Sequence, residues 1–292
     1  MRIRTGASFS RSRAVRCLAV AAVGVTALAG ACSRATTQSV TVTPAALVAE
    51  SAHTTLDQKT ADLTLSGTIS VAGQHLPLTG TGAADFVSQA MSLNLSTKVS
   101  GQSINIKELL ASGQLYMGGN FGSSSFADLT GKDWVSLPVP SSGQDIFGSD
   151  PFAQLKVLEQ QGASVTPLGQ KTIDGNSTTG FSIVPTKASM LKAATTELSQ
   201  MGFDSSQASQ IQSAIQQMQP PTITIWLDSS HLVRQMSVNL DMGAVSSGSS
   251  VVMNLNVDHY GVPVNISAPP SSDVVSFKQF LQDVQQAGSS SS

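Results

Sequence analysis

The chain has 292 residues, a formal charge of −2, and only 12% charged residues, about half the ~25% of an ordinary soluble domain. Five of its cationic residues are arginines within the first 16 positions, and without that leader the charge moves to −7. A mildly acidic body excludes nucleic-acid binding, which needs Lys/Arg to neutralise phosphates, and electrostatic adhesion to anionic lipid heads. Ser, Thr, Gln and Gly fill the polar positions instead, so few groups remain for acid–base chemistry.

Residues 1–31 read as an export signal. Arg2, Arg4, Arg11, Arg13 and Arg16 form a basic head with no acidic residue, followed by an apolar run from Cys17 to Ala31. That run is shorter than the ~20 residues that span a bilayer as a helix. It contains no Arg-Arg pair, which favours the general secretory route. The run ends Leu28-Ala29-Gly30-Ala31-Cys32 and resembles a bacterial lipobox, in which the Cys is acylated and becomes the new N-terminus. Ala29 stands where that motif carries Leu. The alternative is an ordinary signal cleaved after Ala31, leaving Cys32 a free thiol. Cysteine arithmetic favours acylation. Cys17 and Cys32 are the two cysteines, Cys17 leaves with the signal, and a lone thiol in an oxidising compartment is a liability.

The tether, residues 32–42, is small and polar after its Cys. One domain is expected over residues 43–286, with residues 287–292 as a disordered Gly/Ser tail. Thr43-Pro44 opens a helix to about Gln58, with Thr as cap and Pro at the first helical position. Alternation then takes over. Leu63, Leu65, Ile69 and Val71 alternate with polar residues, with a slip at Gly67. Leu76 and Leu78, then Met91, Leu93 and Leu95, then Ile104 and Ile106, then Leu115 and Met117 continue the pattern, and Trp134-Val135-Ser136-Leu137 is a further short run. Period two with one wet and one dry face is the signature of strands. Short Gly/Ser/Asn connections favour an antiparallel meander.

A helix is expected over Pro151–Gln161. Val165 to Ile173 and Thr178 to Val184 flank Asp174-Gly175, a hairpin signal. Two amphipathic helices follow before Pro220-Pro221, the second capped by Asp204 or Ser205. Strands resume around Ile223–Leu227, Leu232–Leu240 and Val251–Val257, and a last helix runs from Asp273 to about Gln286. The summed expectation is α+β, a curved antiparallel sheet with a few helices on its dry face.

These elements carry no complete catalytic signature. Gly101-Gln102-Ser103-Ile104-Asn105 lacks the closing Gly of a nucleophile elbow,. His53, His75, His231 and His259 have no ligand-spaced partner, and Asp258 and His259, adjacent on a strand, face opposite sides. Asp62, Asp85, Glu108, Asp128, Asp133 and Asp145 read as turn and strand-end chemistry. Eight methionines follow the leader, and all but Met190 and Met242 fall on expected dry faces. They read either as core filling or as a lining that adapts to varied apolar shapes. No enzyme activity, metal or cofactor is expected.

The order of motifs resembles the mycobacterial LppX/LprA/LprF/LprG lipoprotein family. After the lipobox and tether come "ADLTLSGTISVAG", "GQLYMGG", "KDWVSL", the block "DPFAQLKVLEQQGASVTPLGQKTIDGNSTTGFSIV", "PPTITIWLDSSHLVRQMSVNL" and "VDHYGVPVNISAPP". The resemblance covers about residues 44–275 and implies a LolA-like half-barrel wrapped around helices with an apolar cavity. It implies a lipoprotein on the outer face of the cell membrane that binds long-chain acylated lipid or glycolipid and moves envelope lipids. Carried over by position, Met91, Leu93, Leu95, Ile104, Ile106, Leu115, Met117 and Trp134 are the candidate cavity wall, and Cys32 the site of lipid attachment. The expected partners are the acylated lipid, the membrane through that anchor, and an envelope transporter, with the chain itself a monomer. The alternatives are an envelope scaffold or sensor lipoprotein with a filled core, and a hydrolase with a dispersed site.

Overall fold

The computed structural model describes residues 42–71, 73–137, 155, 162–200, 205–243 and 246–289. The signal, Cys32 and the tether up to Thr41 lie outside them. So do Asp204, the final tail from residue 290, and the expected Pro151–Gln161 helix except Leu155, which is helical and buried.

Helix α1 spans Pro44–Leu56. The Thr43 hydroxyl accepts from the Ala46 N–H at 3.2 Å and Pro44 occupies the first turn, so one orphan donor is satisfied and another is absent. Val48, Ser51, Ala52 and Thr55 are buried, the three–four spacing of a single helical stripe. Lys59, at φ 71, then turns the chain into the sheet.

Thirteen strands form one sheet: β1 (Thr60–Val71), β2 (Gln74–Asp85), β3 (Ala90–Val99), β4 (Gln102–Ala111), β5 (Gln114–Phe121), β6 (Ser124–Ser125), β7 (Trp134–Leu137), β8 (Ser164–Ile173), β9 (Asn176–Val184), β10 (Thr222–Leu227), β11 (Val233–Asp241), β12 (Ser250–Tyr260) and β13 (Val274–Ser276). Their order is β13-β7-β5-β4-β3-β2-β1-β12-β11-β10-β9-β8, with β6 beside β5. Two meanders therefore meet at the antiparallel β1–β12 ladder. Among the described residues no ladder joins β8 to β13, so the sheet is open. Helix α2 is Phe126–Thr130, α3 is Lys187–Gln200, α4 is Ser205–Gln217 and α5 is Phe277–Ser289.

Three hairpins turn on two residues, Ser100-Gly101, Ser112-Gly113 and Asp174-Gly175, all with positive φ at both positions. That backbone matches the right-handed twist of the flanking strands.

Register sorts the side chains into faces. Leu63 lies between Gly82 and Val257, and Leu65 between Gly80 and Leu255. The same face carries Ile225 between Phe181 and Met236. Helix α1 covers this part, and Val48, Ala52, Leu63, Leu93, Ile225 and Met236 belong to one buried core. A smaller core gathers Phe126, Val135 and Val275, with Met117, Phe277 and Phe280 against it. Rings of Phe126 and Phe280 lie 5.6 Å apart. The other face is polar: Lys171 donates to Gln235 at 2.8 Å, Gln235 to Asn256 at 2.8 Å, and Ser237 to Asn254 at 2.7 Å.

Four expectations are corrected. Gly67 is no slip: it keeps the phase of Leu65 and Ile69, pairing with Leu78 and Met253, where a Cβ would come 2.4 Å from the Val252 carbonyl oxygen. The last helix does not start at Asp273, because Val274-Val275, β-branched and suited to strand, pairs in parallel with Trp134-Val135. That helix begins at Phe277 and runs through Ser289, so residues 287–289 are helical rather than tail. Met190, excluded from the dry faces, is 7% exposed.

Candidate functional site

Strands β3, β4 and β5 hold most of the candidate wall. Leu93 pairs with Glu108, Leu95 with Ile106 and Thr97 with Ile104. Across the next ladder Glu108 meets Met117 and Leu110 meets Leu115. Met91, Leu93, Leu95, Ile104, Ile106, Leu115 and Met117 thus share the covered face. Trp134 does not, and its place in the wall is corrected. Met117 pairs with Val135, so Val135 and Leu137 point to the covered face and Trp134, opposite Gly118, to the outer one. Its ring rests on that glycine, where a Cβ would come 3.1 Å from Cε3. Trp226 lies over Gly180 in the same way, with Lys171 Nζ 4.1 Å from its ring centroid.

The seven remaining residues divide further. Leu93 is in the larger core, with Met91 and Leu95 against it, while Met117 packs on the smaller core. Ile104, Ile106 and Leu115 are half-buried and belong to neither. The covered side of β4 is therefore an apolar strip between two cores.

One ionisable side chain stands on that strip, and the sequence reading misplaced it. Glu108 is not at a strand end. It continues the phase of Ile104 and Ile106 and sits between Leu93 and Met117. The period-two count that found the isoleucines would have found it. Among the described residues its carboxyl has no hydrogen bond or ion pair. Burial pushes its pKa up, because desolvation disfavours the charged form. On the same face Thr97 has a buried hydroxyl with no partner among the described residues.

The shift has a measurable consequence. The stability that neutral Glu108 allows is fully present below about pH 4.3, the ordinary glutamate value. It is lost as pH rises through the higher folded-state value, since the unfolded chain releases the proton first. In urea titrations of lipid-free protein, Glu108→Gln should gain on the wild type as pH rises from 4 to 8. Parallel profiles would contradict its placement among apolar side chains.

The other polar groups lie elsewhere. A half-open cavity of about 330 Å³ is bordered by Asp174, Asn176, Arg234, Asp258 and His259. Arg234 Nε is held by Asp228 Oδ2 at 2.7 Å, with its guanidinium 5.3 Å from the Tyr260 ring centroid. His259 stands 3.8 Å from Asp62 while Asp258 accepts from Thr64, so the two adjacent residues do face apart. His75 meets Ser70 at 2.8 Å and His231 meets Glu50 at 3.5 Å. Among the described residues no three His, Cys, Asp or Glu converge on a metal-sized site, and no helix is long and apolar enough to cross a membrane.

No family model and no curated protein matches the chain. Its structure is similar to those of two mycobacterial lipoproteins. LppX of Mycobacterium tuberculosis aligns over 75% of this chain and 98% of its own, at 14% identity and a TM-score of 0.42. LprF of Mycobacterium bovis aligns over 78% and 97%, at 14% identity and a TM-score of 0.38. A conserved protein of Thermus thermophilus aligns over 78% and 97%, at 10% identity and a TM-score of 0.37.

Proposed function

We propose that this is a non-catalytic lipoprotein of the cell envelope, anchored through acylated Cys32, that holds long-chain acylated lipid or glycolipid against the covered face of its sheet and passes it to other envelope components. The observation that carries this reading is the strip on β4. Ile104, Ile106 and Leu115 are apolar, share the covered face and are left half-buried between two packed cores. Each methylene of an acyl chain laid there would contribute roughly 0.8 kcal/mol before ordering costs. Such binding needs no acid, base or metal.

Organic extraction and mass spectrometry of the full chain carrying Cys32→Ala, purified from its native host, test the reading. Co-purifying long-chain lipid is the expected result, and a folded protein that yields none overturns it. The same variant tests the anchor. Wild type should partition with membranes and Cys32→Ala with the soluble envelope fraction, since a single acyl-bearing residue carries the attachment. A variant that stays with membranes would refute the lipid anchor.

A second reading has its own support. Met91, Leu93 and Leu95 pack with the larger core, and the cavity beside Arg234 brings Asp174, Asp258 and His259 to the surface next to Ile173 and Val257. Both features suit a filled-core scaffold or sensor lipoprotein acting through its surface. Lipid-free protein from the native host is the outcome that favours it.

A further inference from the structure

Glu108 is an odd residue to find on this strip. Its neighbours on the covered face are Leu93 and Met117 across the ladders and Ile106 and Leu110 along its own strand, all apolar. A leucine would pack there without cost, whereas a half-buried carboxyl among apolar side chains gives up part of its hydration with no protein partner in return,. The sheet supplies no protein donor to it among the described residues. Thr97, opposite Ile104 on the same face, has a fully buried hydroxyl with no partner among the described residues. The strip therefore carries two polar groups whose hydrogen bonds the protein does not complete, about 14 Å apart at ~3.4 Å per residue along β4. A bound molecule with an apolar body and a polar head placed at Glu108 would complete the hydrogen bonds of the reachable one, the half-buried carboxyl.

We infer that Glu108 anchors the polar head of the bound lipid and selects heads bearing neutral hydroxyl donors, such as a sugar or glycerol hydroxyl, over anionic heads such as a phosphate. This rests on the lipid-binding reading above and adds to it the chemistry of the head. A carboxylate is a pure acceptor with several lone-pair sites, and a protonated carboxyl both donates and accepts, so a hydroxyl satisfies it in either state. A phosphate placed beside it brings like charge into an apolar setting where repulsion is poorly screened. The position matches the role. Leu93 belongs to the larger core and Met117 packs on the smaller, so Glu108 stands at the seam between them, with the apolar run of Ile106 and Ile104 leading away for the chains.

The test compares two probes with identical chains, dioleoylglycerol and dioleoyl phosphatidic acid, on the full chain carrying Cys32→Ser, by native mass spectrometry and displacement of a fluorescent fatty acid. The glycerol hydroxyl should be preferred on the order of tenfold, the size of one hydrogen bond to a charged group. Glu108→Leu should bind both within about threefold of each other, for lack of the acceptor. Glu108→Gln should lose the rejection of phosphatidic acid while still binding the diacylglycerol. Thermal unfolding establishes that each variant folds, and Glu108→Leu should melt above the unsubstituted, lipid-free protein. Equal binding of both probes by protein with Glu108 intact, or a preference that survives Glu108→Leu, overturns the inference and leaves lipid binding standing. Binding of neither probe overturns the lipid-binding reading and this inference with it.

Discussion

Ile225→Ala should lower the unfolding free energy by about 2–5 kcal/mol, read as a fall in urea midpoint at unchanged slope. Ile225 has no exposed surface. It lies between Phe181 and Met236 on the covered face, in the core that includes Val48 and Ala52 of α1. Helix and sheet meet there, so neighbours on two layers would have to shift to refill the space. The informative contrast is Ile106→Ala. It deletes similar atoms from the same face, but Ile106 is half-buried and outside both cores. Its cost in lipid-free protein should stay below about 1.5 kcal/mol, near the low end of buried truncations. Equal costs at the two sites would mean that the strip is packed as tightly as the core and offers no room to a ligand.

Thr55→Val should cost about 1–3 kcal/mol although it changes volume little. Thr55 has no exposed surface, and its hydroxyl accepts from the Val233 N–H at 3.1 Å. The Tyr260 hydroxyl donates to the carbonyl of the same Val233. Burial pushes the Tyr260 phenol above its ordinary value, the nearby Arg234 charge opposing this in part. Three elements, α1, β11 and β12, are thereby pinned at one residue. Valine leaves the Val233 N–H buried and unpaired, the costlier half of removing a hydrogen bond. A double-mutant cycle with Tyr260→Phe should show coupling above about 0.5 kcal/mol. A neutral Thr55→Val would mean that α1 is held by apolar contact alone.

Where a local rule had a single physical cause, sequence and structure agree. Thr43-Pro44 caps α1, and Asp174-Gly175 turns a hairpin, because each depends on a few adjacent dihedrals. Alternation placed Met91, Leu93, Leu95, Ile104 and Ile106 correctly because their strands are long enough to define a phase. Trp134 went wrong for the complementary reason: in a four-residue strand, Trp134 and Val135 compete for the dry side, and only the pairing of Met117 with Val135 decides it. Val274 was lost to a parallel partner some 140 positions away, which no window on the sequence contains. Glu108 is legible in the sequence, because its period-two phase with Ile104 and Ile106 outweighs the turn preference of a charged residue. How the wall divides between two cores depends on which helices land where, which strand periodicity does not encode.

The ladder between β1 and β12 also bears on the order of assembly. Most other pairings in the sheet join consecutive strands, yet Thr64 meets Asp258 across 194 positions. Each meander can zip from its own tight turns, while the seam waits for both, and loop closure over such a span adds a barrier that local hairpins do not face. Leu63 and Leu65, the inner residues of β1, lack their β12 partners until that encounter. Refolding should therefore proceed in at least two kinetic phases, early formation of the hairpins and slow burial of the β1 face, with the interval between them the moment when the chain is most prone to pair with a neighbour instead.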